Sequence, residues 1–425
     1  MFKSQNDKLE LIQKGVLIIG VDIAKKAHWA QPMRHNGVFI GKPFRIKNTK
    51  DDFESLLAKI DILKQEHSCQ TVIAGLEPTG HYWKAFASYL VQRGINVFFV
   101  NPYHVKKSKE FDDNTQTKSD PKDAGVIGRL IRDGRFTEIY FPNGPFAQLR
   151  VLTNTRNQIK SRVNAILNII TAILDEYFPE FETVFKDVTG KTAMQILYHC
   201  PFPEDLKPLG IDGIVGVIRK AIIKSVGRKR AQLLLDAAEC SVGVPANAAV
   251  KLKLQIYLKD LEFQTQHIER IEAAMQKELL TTEVGEYLLP MKGIGVVTAA
   301  SFLGEIGDPS RFVSWKQIRK LAGFNLVESS SGDHQGQRSI SKRGRPNLRR
   351  ILYQLAVVMV SKNPELRQFY QYLITRPENP LKKKQALVVI AVKLIKILFT
   401  LAKNKEHYDP TKVLGSYRIA QIQAA

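Results

Sequence analysis

Cysteine is nearly absent from this chain of 425 residues, and the three present, Cys69, Cys200 and Cys240, form no CxxC pair. That excludes a disulfide framework, offers no thiolate set for a zinc site, and fits a reducing, cytoplasmic setting. No apolar core follows Met1-Phe2-Lys3-Ser4-Gln5-Asn6-Asp7, so no secretory leader is expected. Long uninterrupted hydrophobic runs are missing too. The most apolar stretch, residues 386–402, is broken by Lys393 and Lys396 and reads as a buried helix of a soluble protein rather than a membrane span. Negative charge is in short supply: 41 Asp and Glu stand against 63 Lys and Arg, a formal net charge of +22. Such an excess favours a polyanionic partner, with nucleic acid first.

The length is enough for two or three domains. Residues 16–140 alternate strand and helix signals. The apolar runs at 16–23, 37–41, 71–76 and 96–100 read as strands, and 50–65, 81–93 and 123–133 read as helices. That pattern implies an α/β domain with a mixed or parallel sheet, whose ligands gather at the carboxyl ends of its strands. From about residue 148 the spacing becomes helical. Leu149, Leu152, Ile159, Val163, Ile166, Ile170 and Ile173 form one stripe, and Leu254, Leu258, Leu261, Ile268, Ile271, Met275 and Leu279 form another. The two helices suit either a long antiparallel arm and dimer surface or ordinary core packing. Residues 178–250, between them, suggest no chemistry.

Four carboxylates stand where metal-dependent phosphodiester chemistry would need them. Asp22 follows Val16-Leu17-Ile18-Ile19-Gly20-Val21, and Glu77 follows Thr71-Val72-Ile73-Ala74-Gly75-Leu76. Asp120 and Asp123 are three apart at the start of a helix, so they share one face. An ionised carboxylate ending an apolar strand is costly unless paired. Hard divalent cations such as Mg²⁺ take oxygen ligands and substrate phosphates together, and two ions ~4 Å apart would serve an attacking and a leaving oxygen. A plainer reading stays open for the second pair: Asp120 before Pro121 suits an N-cap, and Asp123 suits the helix dipole.

The C-terminal part adds two candidates for holding phosphate. The Gly293-Ile294-Gly295 turn opens a helix whose first N–H groups can bind a phosphate without reading sequence. Residues 338–350 carry six basic side chains and no acid: Arg338, Lys342, Arg343, Arg345, Arg349 and Arg350. They read as a phosphate-gripping loop leading into a helix, or as a solvated basic face. Just upstream lie Ser329, Ser330 and Ser331 before Gly332, where a serine is either a turn former or a nucleophile.

In combination these motifs resemble the DEDD transposases of bacterial insertion sequences, whose N-terminal domain is similar to the Holliday-junction resolvase RuvC. The resemblance is carried by Gly20-Val21-Asp22-Ile23-Ala24-Lys25, Leu76-Glu77-Pro78-Thr79-Gly80 and Lys118-Ser119-Asp120-Pro121-Lys122-Asp123-Ala124. Downstream it continues through the Gly293-Ile294-Gly295 turn, Glu305-Ile306-Gly307-Asp308, Ala322-Gly323-Phe324, Ser331-Gly332 and Ser341-Lys342-Arg343-Gly344. It implies that Asp22, Glu77, Asp120 and Asp123 bind Mg²⁺ and that Ser331 is a nucleophile forming a covalent phosphoserine link to DNA. It also implies an oligomer, a dimer or tetramer, and a structured guide RNA that pairs with target and donor DNA. Three serines stand where the family motif needs one before Gly. Ser331 directly precedes Gly332, and Ser330 is the alternative. At Ser119 the family typically has Thr.

The expected architecture is therefore an RNase H/RuvC-like α/β domain over residues 1–145, a helical arm with an insertion over 146–285, and a mainly helical transposase domain over 286–425. The expected function is cutting and rejoining of DNA phosphodiesters in the bacterial cytoplasm, at the nucleoid and away from any membrane. Its rivals are a RuvC-like nuclease that uses water and a non-catalytic nucleic-acid-binding protein.

Overall fold

The computed structural model describes residues 5–113, 120–220, 227–328 and 338–423, with the side chain of Asp120 outside that description. The chain divides into two compact units, Met1–Phe141 and Pro142–Ala425.

The first unit is built on a six-stranded sheet of order β3-β2-β1-β4-β5-β6. Its strands are β1 (Val16–Asp22), β2 (Ala27–Arg34), β3 (Phe44–Lys47), β4 (Thr71–Leu76), β5 (Asn96–Val100) and β6 (Phe136–Glu138). β1 runs parallel to β4, β4 parallel to β5, and the remaining pairs are antiparallel. The helices are α1 (Gln5–Glu10), α2 (Lys50–Glu66), α3 (Trp83–Gln92), α4 (Pro102–Asp113) and α5 (Asp120–Arg132). β1 is buried at every residue up to Val21, as a strand covered on both faces must be. Its odd-numbered residues Leu17, Ile19 and Val21 pack with Phe53, Leu56 and Ile60 of α2 and Phe86 and Leu90 of α3. Its even-numbered Val16 and Ile18 pack with Val126, Ile127, Leu130 and Ile131 of α5. The mixed sheet between helical layers fits an RNase H-like domain.

One expected strand is displaced. Residues 37–41 form no strand of the sheet; they return along β2, which lies earlier in the chain. Arg34 N–H donates to the Val38 carbonyl (2.9 Å) and Ile40 N–H to that of Pro32 (3.0 Å). The strand was hidden because β2 contains Pro32 and the polar His28 and Gln31, both of them buried. Pro32 is tolerated because its missing donor leaves the β1 register intact, with Ile19 opposite it.

The second unit is organised by two helices, α6 (Gly144–Tyr177) and, after five shorter ones, α12 (Ala248–Leu280). The shorter helices are α7 (Phe181–Val184), α8 (Lys191–His199), α9 (Pro203–Leu206), α10 (Gly210–Arg219) and α11 (Gly227–Glu239). α6 and α12 are each roughly 50 Å long by helical rise. They pair antiparallel: Leu149, early in α6, shares a core with Met275 and Leu279, late in α12. Ile166, Ile170 and Ile173 share another with Leu254 and Leu258. Midway, Arg156 bridges to Glu272 at 2.6 Å. α7 to α11 close the second of these cores, with Phe178, Phe181 and Phe202 wholly buried in it.

The first core continues into α13 (Gly285–Leu288), α14 (Val296–Ile306), α15 (Trp315–Ala322), α16 (Pro346–Lys362), α17 (Pro364–Thr375), α18 (Lys383–Asn404) and α19 (Thr411–Gln423). β7 (Leu326–Val327) and β8 (Ser339–Ile340) form a short hairpin. Among the described residues, α18 is the one helix long and apolar enough to cross a membrane. Its apolar stripe, Ala386, Ile390, Leu394, Ile395 and Leu398, is instead buried in this core, where α18 packs on α15, α16 and α17.

Candidate active site

Asp22 is the last residue of β1 and Glu77 the first after β4. The parallel register sets Val21 beside Leu76, so the two carboxylates leave adjacent strand ends, ~4.8 Å apart along the hydrogen-bonding direction. Strand alternation decides the face. Asp22 follows Ile18 and Gly20 on the side covered by α5, and Glu77 follows Ile73 and Gly75 on that same side.

α5 approaches this face closely enough to need glycine under it. A Cβ on Gly20 would collide with the backbone of Ala124 and Gly128, and one on Gly75 with the Ile131 side chain. Gly128 also faces Met33, which pairs with Ile18, so α5 runs antiparallel to β1 and its N-terminus lies at the carboxyl ends of the strands. Stepping back four residues from Ala124 to Asp120 covers ~6 Å, and stepping forward two from Gly20 to Asp22 covers ~6.6 Å. The first turn of α5, holding Asp120 and Asp123, is thereby carried to the level of Asp22.

Asp123 is only 6% exposed. Its Oδ2 is paired with the ammonium of Lys109 on α4, and its Oδ1 is enclosed with no hydrogen-bond partner. A buried carboxylate oxygen without a hydrogen-bond partner, on a helix turn that reaches the level of Asp22, is a donor of the type a hard divalent cation takes. Among the described residues no group of three or more metal-capable side chains is assembled, and the Asp120 side chain lies outside them.

His28, which the sequence did not single out, holds the turn after Asp22. Its Nδ1 accepts from the Ala24 N–H at 3.3 Å, and its ring lies against Phe86 and Phe53. Burial pushes its pKa down to about 4, so the imidazole is neutral in the fold. The unfolded chain protonates His28 near its ordinary value of 6.5 while the native one does not. Stability should therefore fall as pH drops from 6.5 towards 4, by on the order of 2 kcal/mol at pH 5. Urea denaturation at pH 5 and 7 tests this. His28→Leu should flatten the dependence, and an equally steep variant would assign it to other groups.

In the second unit the two phosphate-holding candidates do not meet. Gly293, at φ 102°, lies against Met359 and Lys362 at the end of α16, and Gly295 is the N-cap of α14. Residues 338–345 lead into the start of α16, ~20 Å away along that helix. Ser330 and Ser331 lie outside the described residues, between β7 and β8.

Several arginines of the basic segment have framework duties that composition concealed. Arg345 pairs with the Glu305 carboxylate at 3.6 Å and also donates to the Glu305 carbonyl. Arg150 of α6 donates to the carbonyls of Gly304 (2.9 Å) and Glu305 (3.1 Å), so two guanidinium groups cap the end of α14. Arg349 donates to the carbonyls of Ala322 (3.0 Å) and Lys342 (3.1 Å), Arg350 to Asn157 (2.8 Å), and Arg338 to Glu328 (3.0 Å). Arg338, Lys342, Arg343 and Arg350 are exposed. Arg150, Asn154, Glu305, Arg345 and Asn347 line a shallow cleft at the start of α16. Arg150 was missed because it stands alone in an otherwise ordinary helical repeat.

Comparison with known proteins gives two family matches. Residues 19–179 match the DEDD transposase model of the IS110 type, described as a transposase, and residues 285–371 match the Transposase IS116/IS110/IS902 family. Together they span more than half of the chain. The "Insertion element IS116 uncharacterized 44.8 kDa protein" of Streptomyces clavuligerus is 23% identical over 92% of this chain and 96% of its own length. The "Transposase for insertion sequence element IS1328" of Yersinia enterocolitica is 33% identical over 23% of this chain and 29% of its own. Among solved structures, "T. thermophilus RuvC in complex with Holliday junction substrate" aligns over 29% of this chain and 99% of its own, at 11% identity and a TM-score of 0.22.

Proposed function

The chain belongs to the IS116/IS110/IS902 family of transposases, and from that premise we propose that it excises and inserts its own element by cutting and rejoining DNA phosphodiesters. What supports this reading is the placement of Asp22 and Glu77 at the adjacent carboxyl ends of β1 and β4, with the first turn of α5, which carries the buried Asp123, brought to the same level. Asp22, Glu77, Asp120 and Asp123 would hold divalent cations, Mg²⁺ by the all-oxygen donor set. When bound, such ions supply charge neutralisation at the scissile phosphate and activate the attacking oxygen.

The remaining roles fall to the chain's own side chains. Ser331 forms an ester between its Oγ and the scissile phosphorus as the bond to the leaving strand's oxygen breaks. The hydroxyl loses its proton and the leaving oxygen gains one, and the reverse step joins the new strand. Exposed Arg338, Lys342, Arg343 and Arg350 contact DNA backbone, as do the N–H groups at Gly293 and Gly295. Arg345 and Arg349 act mainly by holding residues 342–349 to α14 and α15, with their unused donors towards phosphate. A structured RNA of the element guides target and donor DNA. The protein works as a dimer or tetramer, consistent with Leu252, Ile256 and Phe263 standing more than half exposed along α12. Its place of action is the cytoplasm, at the nucleoid.

The test is direct. Full-length protein is mixed with element-end DNA, the element's RNA and Mg²⁺, then resolved under denaturing conditions. A protein–DNA adduct that requires Mg²⁺ is the expected result. Cut DNA without any adduct would replace the serine route by water attack, and binding without processing would remove the catalytic reading altogether.

A further inference from the structure

Lys109 has no part in the motifs above, yet it is ion-paired to one of the four candidate carboxylates. It projects from α4 to the Oδ2 of Asp123, fourteen residues further along the chain. The Asp123 side chain is 8% exposed and that of Lys109 31%, so the pair sits at the edge of the interior with the ammonium on the outer side. Burying the Asp123 carboxylate without a counter-charge would cost several kcal/mol. Lys109 supplies that counter-charge and leaves Oδ1 enclosed and unpartnered.

We infer that Lys109 is the resident counter-ion of Asp123, keeping the carboxylate placed until a divalent cation displaces the ammonium. The inference rests on the metal-site reading of the four carboxylates. Charge argues for exchange rather than coexistence: an ammonium and a divalent cation on the two oxygens of one carboxylate repel each other at close range. Geometry argues the same way. Oδ2 is already taken by Lys109 while Oδ1 has no hydrogen-bond partner, so a cation gripping both oxygens competes with the ammonium for Oδ2. Because the partner is a lysine on a flexible stem, it can withdraw to solvent at small cost. Lys109 is thus a positioning residue, which keeps Asp123 and the first turn of α5 in place before metal arrives.

The experiment uses the full chain and Mg²⁺ alone, with no nucleic acid. Calorimetric titration and thermal unfolding are compared for the natural protein, Lys109→Met, Lys109→Arg and Glu77→Gln. Lys109→Met is expected to unfold at lower temperature without metal and to bind Mg²⁺ on the order of 10-fold more tightly. Lys109→Arg should keep the metal-free stability. Unchanged or weaker Mg²⁺ binding in Lys109→Met overturns the exchange.

Should Lys109→Met fail to fold, the natural protein gives the answer by itself. Mg²⁺ should raise the rate at which an amine-reactive reagent labels Lys109, read by peptide mass, and unchanged labelling overturns the proposal. Failure of the underlying reading looks different. In that case Mg²⁺ neither binds nor stabilises any variant, or it binds as well in Glu77→Gln as in the natural protein.

Discussion

Asp22→Asn is expected to lower DNA cutting and joining by about 10³-fold or more, with little change in unfolding temperature. The substitution keeps the size and shape of the side chain and removes only its charge. Asp22 lies at the end of β1, only partly buried, while the six residues before it supply the packing. Its carboxylate therefore contributes little to the core and much to any cation placed between it and Glu77. Glu77→Gln should behave alike. Ser331→Ala should be equally inactive but should still bind Mg²⁺ with natural affinity, because the hydroxyl is no part of the carboxylate set. Measuring strand products, adduct and Mg²⁺ binding for these variants separates the two halves of the reaction. An Asp22→Asn protein that processes DNA at the natural rate would remove the metal site from the mechanism.

Gly20→Ala is expected to destabilise the first unit by about 3 kcal/mol or more and to abolish activity with it. The added methyl would enter the backbone of α5 at Ala124 and Gly128, and neither a carbonyl nor an N–H of a helix can swing aside. Relief requires α5 to lift from β1, which opens the contacts of Ile127 and Ile131 and moves Asp123 away from Asp22. One methyl thus tests the link between packing and chemistry. Gly216→Ala is the matched control: it lies in α10 with nothing within 4 Å of the added atom. It should stabilise by about 0.5–1 kcal/mol through helix propensity. Urea denaturation followed by far-UV circular dichroism reads both. A Gly20→Ala protein as stable as the natural one would mean that α5 does not sit against β1 as described.

Much of this architecture is legible along the chain because apolar runs covered on both faces leave few alternatives. The runs at 16–23, 71–76 and 96–100 hold β1, β4 and β5, the first ending one residue earlier at Asp22, and the two helical stripes are the antiparallel pair α6 and α12. β2 escaped notice because the buried polar residues His28 and Gln31 interrupt its apolar run, and their bonds to the Ala24 N–H and the Pro32 carbonyl are contacts that no periodicity can reveal. β3 and β6 are four and three residues long, too short to show alternation.

The candidate site divides in the same way. The sequence alone determines that Asp22 and Glu77 end apolar strands, since a carboxylate after such a run can lie only where the strand meets solvent. It determines that Asp120 and Asp123 share a helical face, and that positive charge gathers near residues 338–350. Only the tertiary structure decides that β1 and β4 are parallel neighbours, which makes two strand ends one site. It alone lays α5 on Gly20 and gives Asp123 the ammonium of Lys109. It alone turns Arg345 and Arg349 inward while leaving Lys342 and Arg343 exposed. The physical reason is common to all of these: strand and helix periods are local properties of the chain, whereas pairing, close approach and ion partnership depend on which distant surfaces bury each other.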